Sequence, residues 1–460
     1  MDQLIIDNPY TGETVVERTA ADEPAVDAML AAAVDFSRTL AAMPIEDRVA
    51  KCRTALQTML DDRDRIAADI ARMMGKPEGQ AHNEIRGLEE RAQHMLDIAA
   101  TSLEDTVLPE KEGLERRIER VPHGVVFNMP AWNYPLLTCV NVVFPAVAAG
   151  NAVILKHSAR SALCGEHFAD AFAQAFGTRA AVGALHCSHA MAARVAGDRR
   201  VGFVAFTGSV RGGHAIYQAV ANHHFADVGL ELGGKDPAYV AEDADIPAAV
   251  AGLVDGACYN AGQSCCGVER VYVHEKVYDD FVAGARAEMA KLNLGDPTAE
   301  VDMGPMAQPH APAFLKEQVD EALAKGAERL FGTDPGPIEG RGRFFFPTLL
   351  TGVDHSMNVM REESFGPIMP VVKVATDREA VTLANDSNLG LTASIWSTDR
   401  DRAARLARQL QTGTVYLNRC DVLDPALPWT GVKDTGKGST LSSLGYLHVT
   451  RPRAWNFRLP

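Results

Sequence analysis

The chain has 460 residues, of which 47% are hydrophobic and 23% charged, and this composition argues against a disordered protein. A chain of this length exceeds the size at which one hydrophobic core keeps growing, so we expect two or more domains. The 60 acidic and 45 basic residues give a formal net charge of −15, which argues against a nucleic-acid partner.

No segment of the sequence indicates export or insertion into a membrane. The N-terminal stretch lacks the basic and apolar regions of a secretory signal, and no run of about eighteen apolar residues offers a span. The eight cysteines are scattered without the spacing of a disulfide framework, which predicts free thiols in a reducing compartment. We therefore expect a cytoplasmic protein with no membrane partner.

The first third of the chain predicts helices followed by an exposed ribbon. Residues 24–102 are rich in Ala, Leu, Met, Glu and Arg, with apolar residues at helical spacing. In 114–121 apolar and charged residues roughly alternate, which favours a two-sided ribbon over a core strand. Short apolar runs, separated by helical segments, then predict strands at 124–129, 152–156, 202–208 and 237–240.

Strands that alternate with helices are typical of parallel, doubly wound sheets. A second alternating region covers about 250–435, and the tail TRPRAWNFRLP is expected to add an edge strand. The predicted architecture is therefore α/β, with two doubly wound α/β domains and a small projecting β-ribbon. The expected division is 1–103 and 123–234 for the first domain, 104–122 for the ribbon, 235–438 for the second domain and 439–460 for a returning C-terminal strand.

Three short segments carry residue types that suit carbonyl chemistry. Cys265 lies between a glycine-containing turn and an apolar strand, and a thiolate is a strong nucleophile toward a carbonyl carbon. Glu231 lies in an apolar strand, where burial would raise its pKa toward that of a general base. Asn133 lies on an aromatic- and proline-rich turn, from which its amide could donate a hydrogen bond to an oxyanion. Taken singly, each residue is better explained by a structural role: packing for the cysteine, a salt bridge or solvent for the glutamate, and a turn for the asparagine.

Together these segments resemble the motifs of the aldehyde dehydrogenase superfamily, and the resemblance runs from NPYTGE at residue 8 to the end of the chain. Residues 262–265 (GQSC) match the motif that holds the nucleophile, 231–235 (ELGGK) the motif of the base, and 132–133 (WN) that of the oxyanion amide. The resemblance implies the aldehyde dehydrogenase-like fold and the oxidation of a small aldehyde to its acid. Cys265 would form a thioester, which water activated by Glu231 would hydrolyse.

A glutamate at 231 favours the non-acylating members of this superfamily, and the chain is most similar to the shorter bacterial semialdehyde dehydrogenases. The resemblance also implies a nicotinamide cofactor, NAD or NADP. No GxGxxG loop follows an early strand, and FTGSVRGG (206–213) is expected to face the phosphates instead, through Gly208 and Ser209 at a helix N-terminus. The first domain would then be the cofactor-binding domain, and the second the catalytic domain.

Further cofactor residues follow from the same resemblance. Lys156 matches the lysine that contacts the adenosine ribose, Glu363 matches the carboxylate that holds the nicotinamide ribose, and Phe365 matches the aromatic residue beside the nicotinamide. The remaining residues assigned to the cofactor are Trp132, Ser158, Ala159, Leu232 and Gly233.

The chain departs from the superfamily at positions that bear on specificity. Ala159 replaces a glutamate that repels a 2′-phosphate, and Arg160 beside it could contact that phosphate, so turnover with both cofactors is expected. A basic residue is usual where this chain has Val142, so the support of the site must differ. The side chains nominated for the substrate cavity are Tyr134, Leu137, Asn141, Trp429 and the 419–428 loop. Asn141 and Arg419 would suit a polar or carboxylated aldehyde, and they would equally suit solvent.

Other readings of the same residues remain open at this point. A cysteine hydrolase could use Cys265 with a histidine, and a non-catalytic structural protein could share the fold. The stretch 186–189 (HCSH) has ligand-type residues, but no second cluster completes a metal site, and none is expected. The ribbon and the C-terminal segment look under-buried for a monomer, and the superfamily pairs such elements between subunits. We therefore expect a homodimer or a homotetramer.

Overall fold

The computed structural model describes residues 3–460. The helices are α1 (Glu23–Ala42), α2 (Ile45–Asp61), α3 (Arg63–Met74), α4 (Glu78–Asp97), α5 (Ala99–Ser102), α6 (Leu137–Ala148), α7 (Ala162–Phe176), α8 (His189–Ala196), α9 (Val210–Ala221), α10 (Ile246–Cys258), α11 (Tyr278–Met289), α12 (Ala311–Ala324), α13 (Asp377–Asn385), α14 (Arg400–Ala407) and α15 (Ser442–His448).

The strands alternate with these helices through most of the chain. In order they are β1 (Gln3–Asp7), β2 (Thr14–Thr19), β3 (Thr106–Val107), β4 (Leu114–Pro122), β5 (Val125–Met129), β6 (Ala152–Leu155), β7 (Val182–Ala184), β8 (Val201–Gly208), β9 (Asp227–Leu232), β10 (Asp236–Val240), β11 (Val268–His274), β12 (Glu328–Phe331), β13 (Gly336–Ile338), β14 (Arg341–Phe344), β15 (Thr348–Thr351), β16 (Ile368–Val374), β17 (Leu389–Gly390), β18 (Thr392–Trp396), β19 (Thr414–Leu417), β20 (Val432–Lys433), β21 (Gly436–Lys437) and β22 (Thr450–Arg458).

Two sheets form the body of the molecule. The first has the order β21-β9-β8-β5-β6-β7, and all its neighbours are parallel except β21, which pairs antiparallel with β9. The second has the order β12-β15-β16-β11-β10-β18-β19, with only β12 antiparallel to its neighbour. Parallel strands covered by helices read as continuous apolar runs, and β5 is buried along its whole length. The predicted α/β class with parallel sheets is confirmed.

The turn between the two sheets is short. Strand β9 ends at Leu232 and β10 begins at Asp236, so the chain leaves one sheet and enters the other within a few residues. Separate hydrophobic clusters pack around each sheet. The exact division of the chain into domains stays a prediction, and so do the boundaries proposed above.

The predicted ribbon is the middle strand of a third, small sheet. Strand β4 pairs antiparallel with β22 along nine residues and with the two-residue β3 on its other side. The C-terminal segment is therefore the edge strand that its sequence predicted. The N-terminal pair β1–β2, by contrast, was not predicted. In residues 3–460 no helix is both long and apolar enough to cross a bilayer.

Topology brings the chemically interesting residues together. In parallel α/β sheets, ligands bind beyond the carboxyl ends of the strands. Strands β5, β6, β8 and β9 end at this edge of the first sheet. The segments that follow these ends carry the predicted site residues Trp132, Asn133, Lys156, Ser158, Ser209 and Gly233.

Candidate active site

Two cavities meet beyond the carboxyl ends of the first sheet. The larger has a volume of about 650 Å³ and the smaller about 360 Å³. Four residues line both cavities: Thr207, Glu231, Leu232 and Cys265. A thiol and a carboxylate thus stand where a molecule in one cavity could react with a molecule in the other.

The loop before Cys265 is held in an unusual backbone conformation. Asn260, Ala261 and Gly262 have φ values of 53°, 56° and 69°, all in the left-handed region. A Cβ on Gly262 would lie 2.3 Å from the carbonyl carbon of Gly366, so only glycine fits there. The Gln263 side chain closes the loop, donating to the Asn260 carbonyl (3.0 Å) and accepting from the Ala307 N–H (2.9 Å). These contacts fix the position of Cys265.

The Asn133 amide is anchored to the same loop. Its Nδ2 donates a hydrogen bond to the Gln263 carbonyl at 3.1 Å, and the side chain is buried. The backbone carbonyl of Asn133 accepts from Lys76 Nζ at 2.8 Å and from Asn260 Nδ2 at 3.1 Å. The amide nitrogen has two hydrogens, so one remains for a second acceptor in the larger cavity, which Asn133 lines.

The two neighbouring cysteines have different surroundings. The Cys266 thiol is buried and donates to Asp421 Oδ1 at 2.8 Å, and Ser264 Oγ donates to the same oxygen at 3.1 Å. Its contact with Cys265 and its burial raise the pKa of Cys266 well above the usual thiol value, so it stays protonated. Burial raises the pKa of Asp421 to about 6. Cys265 is only half-buried, and it is the thiol that both cavities reach. The sequence included Asp421 only as part of the 419–428 loop and gave it no role of its own, because the residues it contacts lie more than 150 positions away.

Glu231 lies near the end of β9 with its carboxylate toward the cavities. Desolvation by the surrounding protein raises its pKa to about 7, against an ordinary value of 4.5. The Thr440 hydroxyl donates to Oε1 at 2.5 Å, and the nearby positive charge of Arg91 also favours the ionised form. A carboxylate with a pKa near neutrality can take up a proton and release it again at physiological pH.

The larger cavity is lined by nearly all of the residues predicted for the cofactor. They are Trp132, Lys156, Ser158, Gly208, Ser209, Leu232, Gly233, Glu363 and Phe365. Ser209 is the N-cap of α9, and its hydroxyl accepts from the Gly212 N–H at 3.2 Å. The positive end of this helix therefore faces the cavity, as an anionic phosphate requires.

Glu363 closes the other side of the same cavity. Its Oε1 accepts from the Gly234 N–H at 3.0 Å, and burial raises its pKa to about 8. A Cβ on Gly233 would come within 2.2 Å of that carboxylate, so a larger residue there would displace the Glu363 side chain. Trp132 and Phe365 meet edge to face with their ring centroids 5.4 Å apart. These features suit a nicotinamide dinucleotide. The N-terminus of α9 suits its phosphates, the Glu363 carboxylate suits the hydroxyls of a ribose, and the aromatic pair suits its ring.

Position 159 and its neighbour differ from what the sequence suggested. Ala159 is exposed and does not line either cavity. Arg160, expected as a contact for a 2′-phosphate, is buried and turned away from the cavity, where it bonds Asp7 Oδ1 at 2.7 Å. That expectation was wrong, because the Asp7 carboxylate and the backbone carbonyls of Asp7 and Met73 already hold this guanidinium. The larger cavity instead has Arg211 and His189 in its lining, and the sequence reasoning missed both.

The smaller cavity contains all four nominated substrate residues. Tyr134, Leu137, Asn141 and Trp429 line it, together with residues 421–423 of the nominated loop. Arg419 is exposed and does not line it. The cationic side chain that lines the smaller cavity is that of Arg91 from α4, which donates to Asn141 Oδ1 at 3.2 Å. In the sequence Arg91 stood within a helical pattern and gave no separate signal.

Comparisons with known proteins agree with this geometry. Residues 2–454 match the aldehyde dehydrogenase family. An aldehyde dehydrogenase of Paenarthrobacter nicotinovorans is 35% identical, over 95% of this chain and 96% of that protein. A succinate-semialdehyde dehydrogenase [NADP(+)] of Deinococcus radiodurans is 34% identical over 97% of this chain and 93% of that one. The solved structure of an NAD-dependent aldehyde dehydrogenase from Sinorhizobium meliloti superposes with a TM-score of 0.96 at 29% identity, covering 100% of this chain and 92% of that one.

The family match spans almost the whole chain, and the relatives are aligned over nearly their full length. The chain belongs to the aldehyde dehydrogenase family and is an NAD(P)-dependent aldehyde dehydrogenase.

Proposed function

We propose that this enzyme oxidises a small aldehyde to its carboxylic acid, with Cys265 as nucleophile, Glu231 as general base and Asn133 as oxyanion donor. The observation that carries the proposal is that Cys265 and Glu231 line both cavities. The aldehyde would occupy the smaller cavity and the dinucleotide the larger. Hydride transfer from the aldehyde carbon to the dinucleotide would then take place where the two cavities meet, beside Cys265 and Glu231.

The first half of the reaction uses the thiol and the amide. The Cys265 thiolate attacks the aldehyde carbon and forms a thiohemiacetal, whose oxyanion accepts hydrogen bonds from Asn133 Nδ2 and from the Cys265 backbone N–H. A dinucleotide held by Ser209 and Glu363 would supply the acceptor for the hydride of this carbon, and a thioester would remain on Cys265. Cys266 takes no part, because its proton is held toward Asp421.

The second half uses Glu231. Its carboxylate takes a proton from a water molecule as that water attacks the thioester carbonyl, and the acid is released with the Cys265 thiolate as leaving group. A pKa of about 7 allows Glu231 to be ionised for this step and to pass the proton on afterwards. The Thr440 hydroxyl orients the carboxylate.

We further propose how the dinucleotide is held. The pyrophosphate would lie at the N-terminus of α9 near Gly208 and Ser209, and Glu363 would hold the nicotinamide ribose. Lys156 and Arg211 could supply positive charge to an adenosine phosphate, which supports the use of NADP as well as NAD. A cytoplasmic location is also proposed, because all eight cysteines are free thiols.

The decisive experiment compares two neighbouring cysteine variants. We expect Cys265→Ala to abolish reduction of the cofactor by any aldehyde while still binding NAD(P), and Cys266→Ala to retain most of the activity. Absorbance of the reduced nicotinamide measures the reaction, and quenching of tryptophan fluorescence measures binding. Ester hydrolysis without any cofactor reduction in the wild-type enzyme would favour a cysteine hydrolase instead.

A further inference from the structure

Arg91 has surroundings unlike those of the other buried arginines. Its side chain is buried, yet only Nη1 makes hydrogen bonds, to Asn141 Oδ1 at 3.2 Å and to the Leu137 carbonyl at 3.5 Å. Within residues 3–460 it forms no salt bridge. Arg270, in contrast, spreads its three guanidinium nitrogens over backbone carbonyls such as those of Lys235 and Ala384. Two nitrogens of Arg91 are thus free to face a cavity that the residue lines.

A buried cation that no carboxylate contacts directly is expensive for a protein. Transfer of an unpaired charge from water into the interior costs several kcal/mol, so buried guanidinium groups are normally paired or fully hydrogen-bonded. The cost is recovered if an anion binds there, and a carboxylate matches the guanidinium fork with two parallel hydrogen bonds.

The acidic residues of the smaller cavity lie near Arg91 without bonding it, and the charges of Glu231, Glu84 and Glu90 act on the guanidinium only from a distance. Glu84 forms a buried ion pair with Lys76 and accepts the Leu136 N–H at 2.8 Å. Asp421 accepts from Ser264 and Cys266, and Glu231 accepts from Thr440. Glu90 and Asp255 line the cavity from exposed positions. None of these carboxylates hydrogen-bonds Arg91 in the part of the chain that the structure describes.

We propose that Arg91 binds a second, anionic carboxylate of the substrate, so that the preferred substrates are short aldehydes with a carboxylate at the other end. The inference rests on the proposed function, because Cys265 must hold the aldehyde group in the same cavity. A volume of about 360 Å³ is small and suits a chain of a few carbons. Asn141 holds the guanidinium in place and leaves its remaining donors toward the substrate.

The test compares aldehydes that differ only at the far end. The probes are 4-oxobutanoate, butanal with the same chain length and no carboxylate, and the cationic betaine aldehyde. We expect kcat/KM in the wild-type enzyme to be at least roughly tenfold higher for 4-oxobutanoate than for butanal. A preference for betaine aldehyde would overturn the proposal and assign selectivity to Glu90 and Asp255.

Variants show whether Arg91 binds the substrate carboxylate or supports the catalytic residue Glu231. We expect Arg91→Met to lower kcat/KM for 4-oxobutanoate by roughly 10- to 100-fold more than it lowers kcat/KM for butanal. Arg53→Met is the matched control. Arg53 lies in α2, is exposed, and pairs with Asp97 at the end of α4, the helix that carries Arg91. Equal losses for both aldehydes would show that Arg91 supports Glu231 rather than the substrate, which would overturn the proposal.

A measurement on the wild-type enzyme does not depend on folding of the variant. With butanal as the variable substrate, succinate should inhibit competitively, and butyrate should inhibit at least roughly tenfold more weakly. Equal inhibition by the two acids would contradict the inference. If the enzyme oxidises butanal through Cys265 but shows no carboxylate preference, only this inference fails. If Cys265→Ala still oxidises butanal, the proposed function fails.

Discussion

At the scale of single residues, desolvation separates chemical roles that the sequence leaves similar. Cys265 and Cys266 are adjacent, but only Cys265 reaches both cavities, whereas Cys266 is buried against Asp421. Glu231 keeps a raised pKa because its surroundings offer it a single hydrogen-bond donor, the Thr440 hydroxyl. The same desolvation that makes Glu231 a useful base should destabilise the folded enzyme when this carboxylate is ionised.

The Glu231→Gln variant tests both consequences. Without a proton acceptor, thioester hydrolysis should slow by about 10² to 10⁴-fold, so that rapid mixing shows a burst of reduced cofactor before a slow steady state. In the wild type, hydrolysis should weaken as the pH falls through about 7, because Glu231 becomes protonated there. A steady-state rate equal to that of the wild type would identify another group as the base.

The effect of this substitution on stability has a definite sign. The pKa of Glu231 is about 7 in the folded protein against 4.5 ordinarily, so the folded state binds more protons between these values. Wild-type stability therefore falls as the pH rises through this window, and the penalty is complete above it. Glu231→Gln should be more stable than the wild type by up to about 3 kcal/mol near pH 8 and by much less near pH 4. Chemical denaturation at the two pH values measures this difference.

Residue-level prediction rested on motifs that are local in the sequence. GQSC, ELGGK and WN each lie within a few positions, and the structure has Cys265 and Glu231 where the two cavities meet and Asn133 in the lining of the larger one. Their catalytic roles stay predictions. Arg91 and Asp421 could not be predicted, because their roles arise from packing between segments far apart in the chain. Arg160 was misassigned for the same reason, since its partner Asp7 lies in an N-terminal strand.

At the scale of elements, a buried ion pair at the start of α4 holds the segment that leads into α6, behind the active site. Lys76 and Glu84 pair with both side chains fully buried, and Lys76 Nζ also lies 4.1 Å from the centre of the Tyr134 ring. Glu84 Oε1 accepts the Leu136 N–H just before α6 begins, and Lys76 holds the Asn133 carbonyl. The Glu84 carboxylate thus accepts a free N–H at the start of α6. It also neutralises Lys76, the cation that anchors Asn133.

Removing that carboxylate should be costly. We expect Glu84→Ala to lower the free energy of unfolding by about 3–5 kcal/mol, because it leaves the Lys76 cation buried without a partner. Glu89→Ala, one turn further along α4, is the matched control and should lose much less, since its contact with Gln93 is exposed. Urea denaturation measures both. If the two variants were equally stable, the buried pair would not hold this region together.

Element prediction worked where the chain repeats a simple pattern. The apolar runs of β5, β6, β8 and β10 were found within one or two residues, because buried parallel strands are uniformly apolar. The β1–β2 pair was missed, since its short strands mix charged and apolar residues. Strand β21 has only two residues and joins the first sheet from the far end of the chain, which no local pattern indicates.

At the scale of the whole molecule, the three-stranded sheet leaves an edge uncovered. Strand β22 pairs with β4 on one side only, and seven of its nine residues are exposed. Phe457 is 49% exposed, while Trp455 stacks on Arg117 at 3.9 Å. An uncovered nine-residue edge with aromatic side chains is a ready template for pairing with another strand. We propose that this sheet forms the contact in a homodimer or homotetramer.

The association predicted from this edge can be tested with a matched pair of aromatic positions. Light scattering of the wild-type enzyme should give a dimer or tetramer mass. Phe457→Glu should shift the equilibrium toward monomer, because it places a charge on the exposed face of β22. Phe225→Glu is the control: Phe225 is another exposed phenylalanine, but it lies in the loop before β9, outside the ribbon, and its substitution should leave the mass unchanged. A wild-type monomer with full activity would contradict the proposal. Dissociation by both variants would instead locate the contact elsewhere, since only the first variant alters the ribbon.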